Sequence, residues 1–185
     1  NTKKICENIL EDKTKIETQF STVILRYFNP IGAHHSNLIG ESPRNIPQNL
    51  VPIITQFANG KLKKLTVYGD DYPTKDGTCV RDYIHIMDLA DAHISALEYL
   101  FSNNTNKFYD VFNVGTGHGK TVKEVIHSFN KVSSKKIQYD ISSRRKGDVI
   151  SAFADTSKAK KILNWTSKVS FEDAILSAWK WEQNK

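Results

Sequence analysis

Three short stretches of this chain gather residue types that could act on a charged ligand. In RRKGD, Arg144 and Arg145 precede Asp148. Arginine forks match phosphate oxygens bidentately, each charge-assisted bond contributing about 1.5–3 kcal/mol net, whereas a bare basic run is a solvated face. In YGDDYPTKDGTCVRDYIHIMD, Tyr68 to Asp88, the rings of Tyr68, Tyr72 and Tyr83 crowd a turn-rich, acidic loop around Arg81. That arginine is the natural centre of the cluster, although beside Asp82 it also reads as a surface ion pair of about 0–1 kcal/mol. RYFNPIGAH, Arg26 to His34, sets Asn29 at a strand end, where open α/β sheets hold ligands beyond their carboxyl edge. The plainer alternative is an Asx-Pro turn that ends the strand. A fourth stretch, FNVGTGHGKT, Phe112 to Thr121, imitates a P-loop, but the first glycine of that motif would fall on Val114. Without it the phosphate nest lacks its first turn, and Thr121 serves better as a helix cap.

Strands and helices must alternate to hold these stretches. STVILRYF, Ser21 to Phe28, is a β-branched and aromatic run that predicts a buried strand closed by Pro30. The polar segment from Gly32 to Asn45 is too long for a simple connection and is a candidate binding loop. Leu50, Ile53, Ile54 and Phe57 share a helical face that ends at Gly60, and KKLTVYG predicts a short strand. Asp88 is placed to cap a helix carrying Leu89, His93, Ala96, Leu97 and Leu100, followed by a strand in KFYDVFNVG. Thr121 with Glu124 spells a capping box, and Ser170 with Asp173 repeats the signature before a last helix. The alternation predicts an α/β architecture.

With 185 residues and 39% hydrophobic content the chain can bury a real core. The net charge of +6 is spread over scattered lysines, without a stacked-aromatic motif or zinc spacing, so nucleic acid is not an expected partner. No apolar run approaches the ~20 residues that cross a bilayer, and no signal-peptide core is evident, so a cytoplasmic location without membrane contact is expected. Cys6 and Cys79 lie in unrelated contexts, and no metal site is expected. The histidines His34, His35, His85 and His93 receive no catalytic role.

In their order and spacing RYFNPIGAH, the GE-x-P-x-x-IP-x-NL-x-P run, YG-x-DY-x-T-x-DGT-x-VRDYIH, N-x-G-TG, RR-x-GD and the W-x-W ending resemble the C-terminal half of the UDP-glucose 4-epimerases. These belong to the extended short-chain dehydrogenase/reductase superfamily. The resemblance implies the last part of a Rossmann-type NAD-binding domain over 1–30, then a small α/β lobe over 31–185 that mainly holds the UDP-sugar, with 106–120 returning to the Rossmann core. It implies NAD as cofactor and interconversion of UDP-glucose and UDP-galactose by transient oxidation at sugar carbon 4. A homodimer is implied when the protein is complete, and the 185 residues alone are expected to be inactive. By the same resemblance Lys3 is the lysine of a Tyr-x-x-x-Lys motif, acting on the cofactor ribose and on the pKa of a tyrosine upstream, while Tyr27 and Pro30 approach the nicotinamide. Arg81 and Arg145 are the diphosphate clamps. Asp148 reaches the ribose or orients an arginine, Asn49 and Leu50 contact the nucleotide, Tyr68 lies along the uracil, and Asn29 reaches the phosphate or sugar. Ala152, counted without gaps between Gly147-Asp148 and Asp155, is a small wall residue, which implies that UDP-N-acetylglucosamine and UDP-N-acetylgalactosamine are accepted too. Other nucleotide-sugar 4,6-dehydratases or decarboxylases, and a non-catalytic UDP-sugar-binding module, are the alternatives.

Overall fold

The computed structural model describes residues 1–102 and 107–185, so residue 106 of the expected 106–120 return lies outside the described residues. Helix α1 (Thr2–Ile16) leads into strand β1 (Thr22–Tyr27), which pairs in parallel with β5 (Tyr109–Val114) from Thr22 opposite Tyr109 to Tyr27 opposite Val114. Pro30 does not simply close β1. Lacking an N–H, it sits inside a second short strand, β2 (Asn29–Ile31), at the edge of another sheet, where no ladder donor is needed from it.

That sheet is organised by β4 (Val80–His85), which pairs with β2 in parallel, with β6 (Gly119–Thr121) antiparallel, and with β8 (Ser151–Ala152) in parallel. A third, two-stranded sheet joins β3 (Thr66–Tyr68) to β7 (Asp140–Ser142). Helices α2 (Leu50–Ala58), α4 (Val122–Ser133) and α6 (Phe171–Asn184) enclose one core with Val51, Ile54, Val67, Tyr83, Phe129 and Trp179. Helices α3 (Ile86–Ser102) and α5 (Ser157–Leu163) enclose another with Ile84, Leu89, Phe112, Val114 and Trp165. Alternation along β4 therefore sends Tyr83 into one core and Ile84 into the other, making this strand the wall between them.

The capping box at Thr121 and Glu124 is present in full, and Ser170 accepts from the Asp173 N–H as a helix N-cap. Asp88, expected as a cap, is not one. β4 runs straight into α3, so His85 takes that place, its Nδ1 accepting from the Met87 N–H at 3.1 Å. Asp88 lies inside the first turn, buried, and accepts from the backbone N–H groups of Lys168 and Val169 at 3.0 Å each, tying α3 to the segment before α6. The Met87 bond leaves His85 Nε2 as the protonated nitrogen facing Ser177 Oγ at 3.2 Å, and burial pushes this imidazole below its ordinary pKa.

The turn from Asp70 to Thr78 is fixed by its own polar groups. Gly77 has φ +82°, and a Cβ there would stand 1.9 Å from the Asp70 carbonyl oxygen, so only glycine fits. Asp76 accepts from Thr78 N at 2.9 Å, from Thr78 Oγ1 at 2.7 Å and from Thr121 Oγ1. Burial would raise its pKa, but these bonds, with Lys123 nearby, outweigh burial and hold it below the ordinary 3.8. A depressed carboxylate contributes stability that is present above the unfolded pKa and lost as pH falls through the folded value. Asp76→Asn is therefore expected to melt lower than the parent at pH 7, with the gap closing toward pH ~2; a gap constant across thermal melts from pH 7 to ~2 would reject this role.

Candidate functional site

Residues 79, 81 and 83 alternate with 80, 82 and 84, so Cys79, Arg81 and Tyr83 share the face of β4 that lines a cleft of about 200 Å³. The neighbouring strand β2 adds Asn29 and Pro30 to the lining, the start of α2 adds Asn49 and Leu50, and the end of β3 adds Tyr68. Arg145 and Asp148 close it from the loop between β7 and β8. Eight of the residues singled out in the sequence thus converge: Asn29, Pro30, Asn49, Leu50, Tyr68, Arg81, Arg145 and Asp148.

Arg81 does not pair with Asp82. Its Nη1 donates to the carbonyls of Val80 and Val149, each at 2.8 Å, and its Nη2 lies 3.6 Å from Asp148 Oδ1. Arg145 Nε donates to Asp148 Oδ2 at 3.0 Å, and its guanidinium sits 5.1 Å from the centre of the Tyr68 ring. One carboxylate therefore gathers two guanidinium groups beside an aromatic plane, leaving N–H donors on both that an oxyanion could take. Asn49 is the N-cap residue of α2, but its amide donates to Glu41 Oε1 at 2.9 Å rather than capping the helix. Burial pushes the Cys79 thiol and the Tyr83 phenol upward in pKa, so both stand as neutral wall groups near pH 7.

The imitation P-loop already holds an anion, and that anion belongs to the chain. The fully buried Asp82 carboxylate accepts from Thr116 N at 2.9 Å, Thr116 Oγ1 at 2.6 Å, Gly117 N at 3.0 Å and Ala154 N at 3.1 Å. Lys120, which would reach a nucleotide in a P-loop, lies over the Phe171 ring at 5.5 Å, and Thr121 caps α4.

Three candidates lie outside the cleft. Lys3 and Tyr27 line a separate hollow between α1 and β1, together with Glu7 and Arg26, which form an ion pair. Ala152 is not in the cleft lining, but it pairs with Arg81 in the β4–β8 register, so its Cβ stands on the same sheet face as that guanidinium. Reading the sequence missed Glu41, which orients Asn49, and Trp181, whose Nε1 donates to the Glu41 carbonyl at 2.9 Å and whose ring leaves no room for a Cβ at Gly40. The W-x-W ending carried that signal, since Trp179 fills the core and Trp181 faces the loop. Among the described residues, no cluster of three or more His, Cys, Asp or Glu could hold a metal ion, and no helix is long and apolar enough to cross a membrane.

The family model described as GDP-mannose 4,6 dehydratase matches residues 2–177. The chain belongs to that family. Among the proteins to which the chain is similar, a UDP-glucose 4-epimerase from Bacillus subtilis (strain 168) is 48% identical over 183 residues, covering 99% of this chain and 53% of the relative. A UDP-glucose 4-epimerase from Stenotrophomonas maltophila, solved with NAD and formylated UDP-arabinopyranose, superposes with a TM-score of 0.94 at 42% identity, over 99% of this chain and 54% of that one. The UDP-Glc/GlcNAc 4-epimerase from Campylobacter jejuni gives a TM-score of 0.77 at 38% identity, over 97% and 53%. The chain therefore spans about half the length of the curated relatives it matches.

Proposed function

We propose that the protein, at its natural length, is a UDP-hexose 4-epimerase that interconverts UDP-glucose and UDP-galactose, and that this chain supplies its UDP-sugar cleft. The observation that carries the reading is the pairing of Arg81 and Arg145 on Asp148 beside the Tyr68 ring, a preformed seat for a diphosphate next to a flat base. In this reading Asn49 and Leu50 hold the nucleotide and Asn29 reaches toward the sugar. Residues 1–30 are the tail of the NAD-binding domain and 31–185 mainly the sugar lobe, in a cytoplasmic homodimer.

The residues facing the other hollow suit NAD: Lys3 brings an ammonium for ribose hydroxyls, and Tyr27, 55% exposed, offers a free ring, with Pro30 at the edge of the cleft. NAD, when bound, would take hydride from sugar carbon 4 and return it. This chain's own work is to hold the UDP tightly by the arginines while leaving the sugar free to turn, because binding energy remote from the reacting carbon keeps it in place without slowing the turn.

Because the family description names a 4,6-dehydratase, loss of water from the sugar is the second reading. Incubating the natural-length protein with UDP-galactose and following product decides between them. UDP-glucose of unchanged mass supports epimerisation, a dehydrated keto-sugar supports the dehydratase, and UDP binding without turnover would leave a binding module.

Ala152 sets the expected substrate range. Standing beside Arg81, a small side chain leaves room for a 2-N-acetyl group, so the UDP-N-acetylglucosamine and UDP-N-acetylgalactosamine pair should also be substrates. Ala152→Tyr forces a ring into that space, and overpacking of about 1–3 kcal/mol corresponds to about 10–200-fold discrimination. The variant is expected to lose kcat/KM on the N-acetyl pair by that factor while sparing UDP-galactose. Equal loss on both pairs would remove Ala152 from the wall.

A further inference from the structure

Arg145 has a neighbour whose guanidinium is engaged elsewhere. Arg144 Nε donates to Asp71 Oδ1 at 2.7 Å, Arg144 Nη2 donates to the Asp71 carbonyl at 2.6 Å, and the guanidinium carbon lies 4.1 Å from the centre of the Tyr72 ring. Tyr72 is 4% exposed, so its ring is a packed platform. Gly69, at φ +80°, lets the loop close here, since a Cβ would meet Tyr72 Cε2 at 2.4 Å and Arg144 Cγ at 2.9 Å. The two arginines thus stack on two tyrosines of one turn: Arg144 on Tyr72, away from the cleft lining, and Arg145 on Tyr68, in it. On the upstream side, β7 is locked to β3 by the Gly69 N–H to Ser142 carbonyl bond at 2.8 Å. On the downstream side the chain turns at Gly147, with φ +90°, and is caught again where Val80 N donates to Ile150 O at 2.9 Å. Between those catches, Arg144 holds the segment from which Arg145 reaches inward.

We propose that Arg144 is a positioning residue for the diphosphate clamp: it binds no ligand, and through Asp71 and Tyr72 it fixes the backbone from which Arg145 presents its fork. This rests on the reading of the cleft as a UDP site. The Arg144–Asp71 pair is exposed at 41% and 69% of its side chains, a class of pair worth little to global stability, so its loss should be felt in placement rather than in folding. Displacing a binding group by about 1 Å can forfeit up to a hundredfold in effect.

The test is a double-mutant cycle in the natural-length protein, reading UDP affinity by calorimetry and stability by thermal melts. Arg144→Ala is expected to raise the UDP Kd about tenfold, equivalent to ~1.4 kcal/mol, with the Tm within ~4 °C of the parent. Arg145→Ala is expected to raise it more, and the double variant no further than Arg145→Ala alone, because a brace has nothing to hold once its fork is gone. A merely structural role would add its full effect in both backgrounds, so additivity overturns the proposal, as does an unchanged Kd in Arg144→Ala. If Arg145→Ala itself leaves UDP binding intact, the UDP reading of the cleft fails with it; if only Arg144→Ala is silent, the brace alone fails. Should Arg144→Ala not fold, Asp71→Ala removes the anchor's side-chain acceptor from an exposed position and is expected to weaken UDP several-fold with the same non-additivity; an unchanged Kd there, or full additivity with Arg145→Ala, equally overturns the brace.

Discussion

Asp82→Ala is expected to destabilise the fold by about 3–5 kcal/mol, the largest effect of any single change argued from this structure. The carboxylate is fully buried and receives three backbone N–H groups, from Thr116, Gly117 and Ala154, besides the Thr116 hydroxyl. Alanine would take this acceptor from the three backbone N–H groups, while the Thr116 hydroxyl keeps the His118 carbonyl at 3.1 Å, and each unsatisfied buried donor costs about 1–3 kcal/mol. The chain packs closely around the carboxylate, since a Cβ at Gly115 would lie only 2.5 Å from Asp82 Oδ2 and 2.7 Å from Ala154 Cβ. Asp82→Asn keeps the shape but turns an NH₂ toward donors, so it should recover only part of the loss. Since Ala154 lies two residues after β8 and β8 lies beside Arg81, the cleft should loosen too. Equilibrium unfolding in denaturant measures the effect, and a change below about 1 kcal/mol would show that the nest is satisfied some other way.

Asp82 also shows what a sequence gives up easily and what it withholds. The glycines of FNVGTGHGKT announce backbone N–H groups free to converge on an anion, and the missing glycine at Val114 argues against phosphate. Which anion fills the turn is a non-local fact, decided by a strand more than thirty residues upstream, and local spacing carries no trace of it. Helices and caps with short-range logic, such as the Thr121 box, were legible because their partners lie within one turn. Asp88 misled because an acid before an apolar helical face has the same local pattern whether it caps that helix or receives amides from Lys168 and Val169. Pro30 has the local pattern of a terminator, since nothing nearby reveals that an edge position beside β4 takes a residue without a donor. Cleft residues such as Arg81, Arg145 and Asp148 stood out by type and family order, while Glu41, Asp71 and Arg144 act by orienting others and have no signature of their own.

Arg81→Ala in the natural-length protein is expected to weaken UDP by about 2–3 kcal/mol, roughly 30–150-fold in Kd. Arg81 is the less exposed of the two clamp arginines, its side chain 18% exposed against 55% for Arg145, so its charge is the less screened by water. Its two bonds to the carbonyls of Val80 and Val149 hold the fork in place before any ligand arrives, so little ordering entropy opposes binding. Removing it has a second consequence, because Asp148 would retain only Arg145 as a counter-charge and would present more of its negative charge to an incoming diphosphate. Lysine at this position should restore attraction but not the fork, recovering a minority of the lost affinity. Salt supplies a separate readout: the parent's UDP affinity should fall as ionic strength rises, and the variant's should fall less steeply, since a charge that is absent cannot be screened. Thermal melts run alongside separate this from unfolding. An Arg81→Ala protein that remains folded and binds UDP with the parent's affinity and the parent's salt slope would take Arg81 out of the site, and would leave Asp148 as the partner of Arg145 alone.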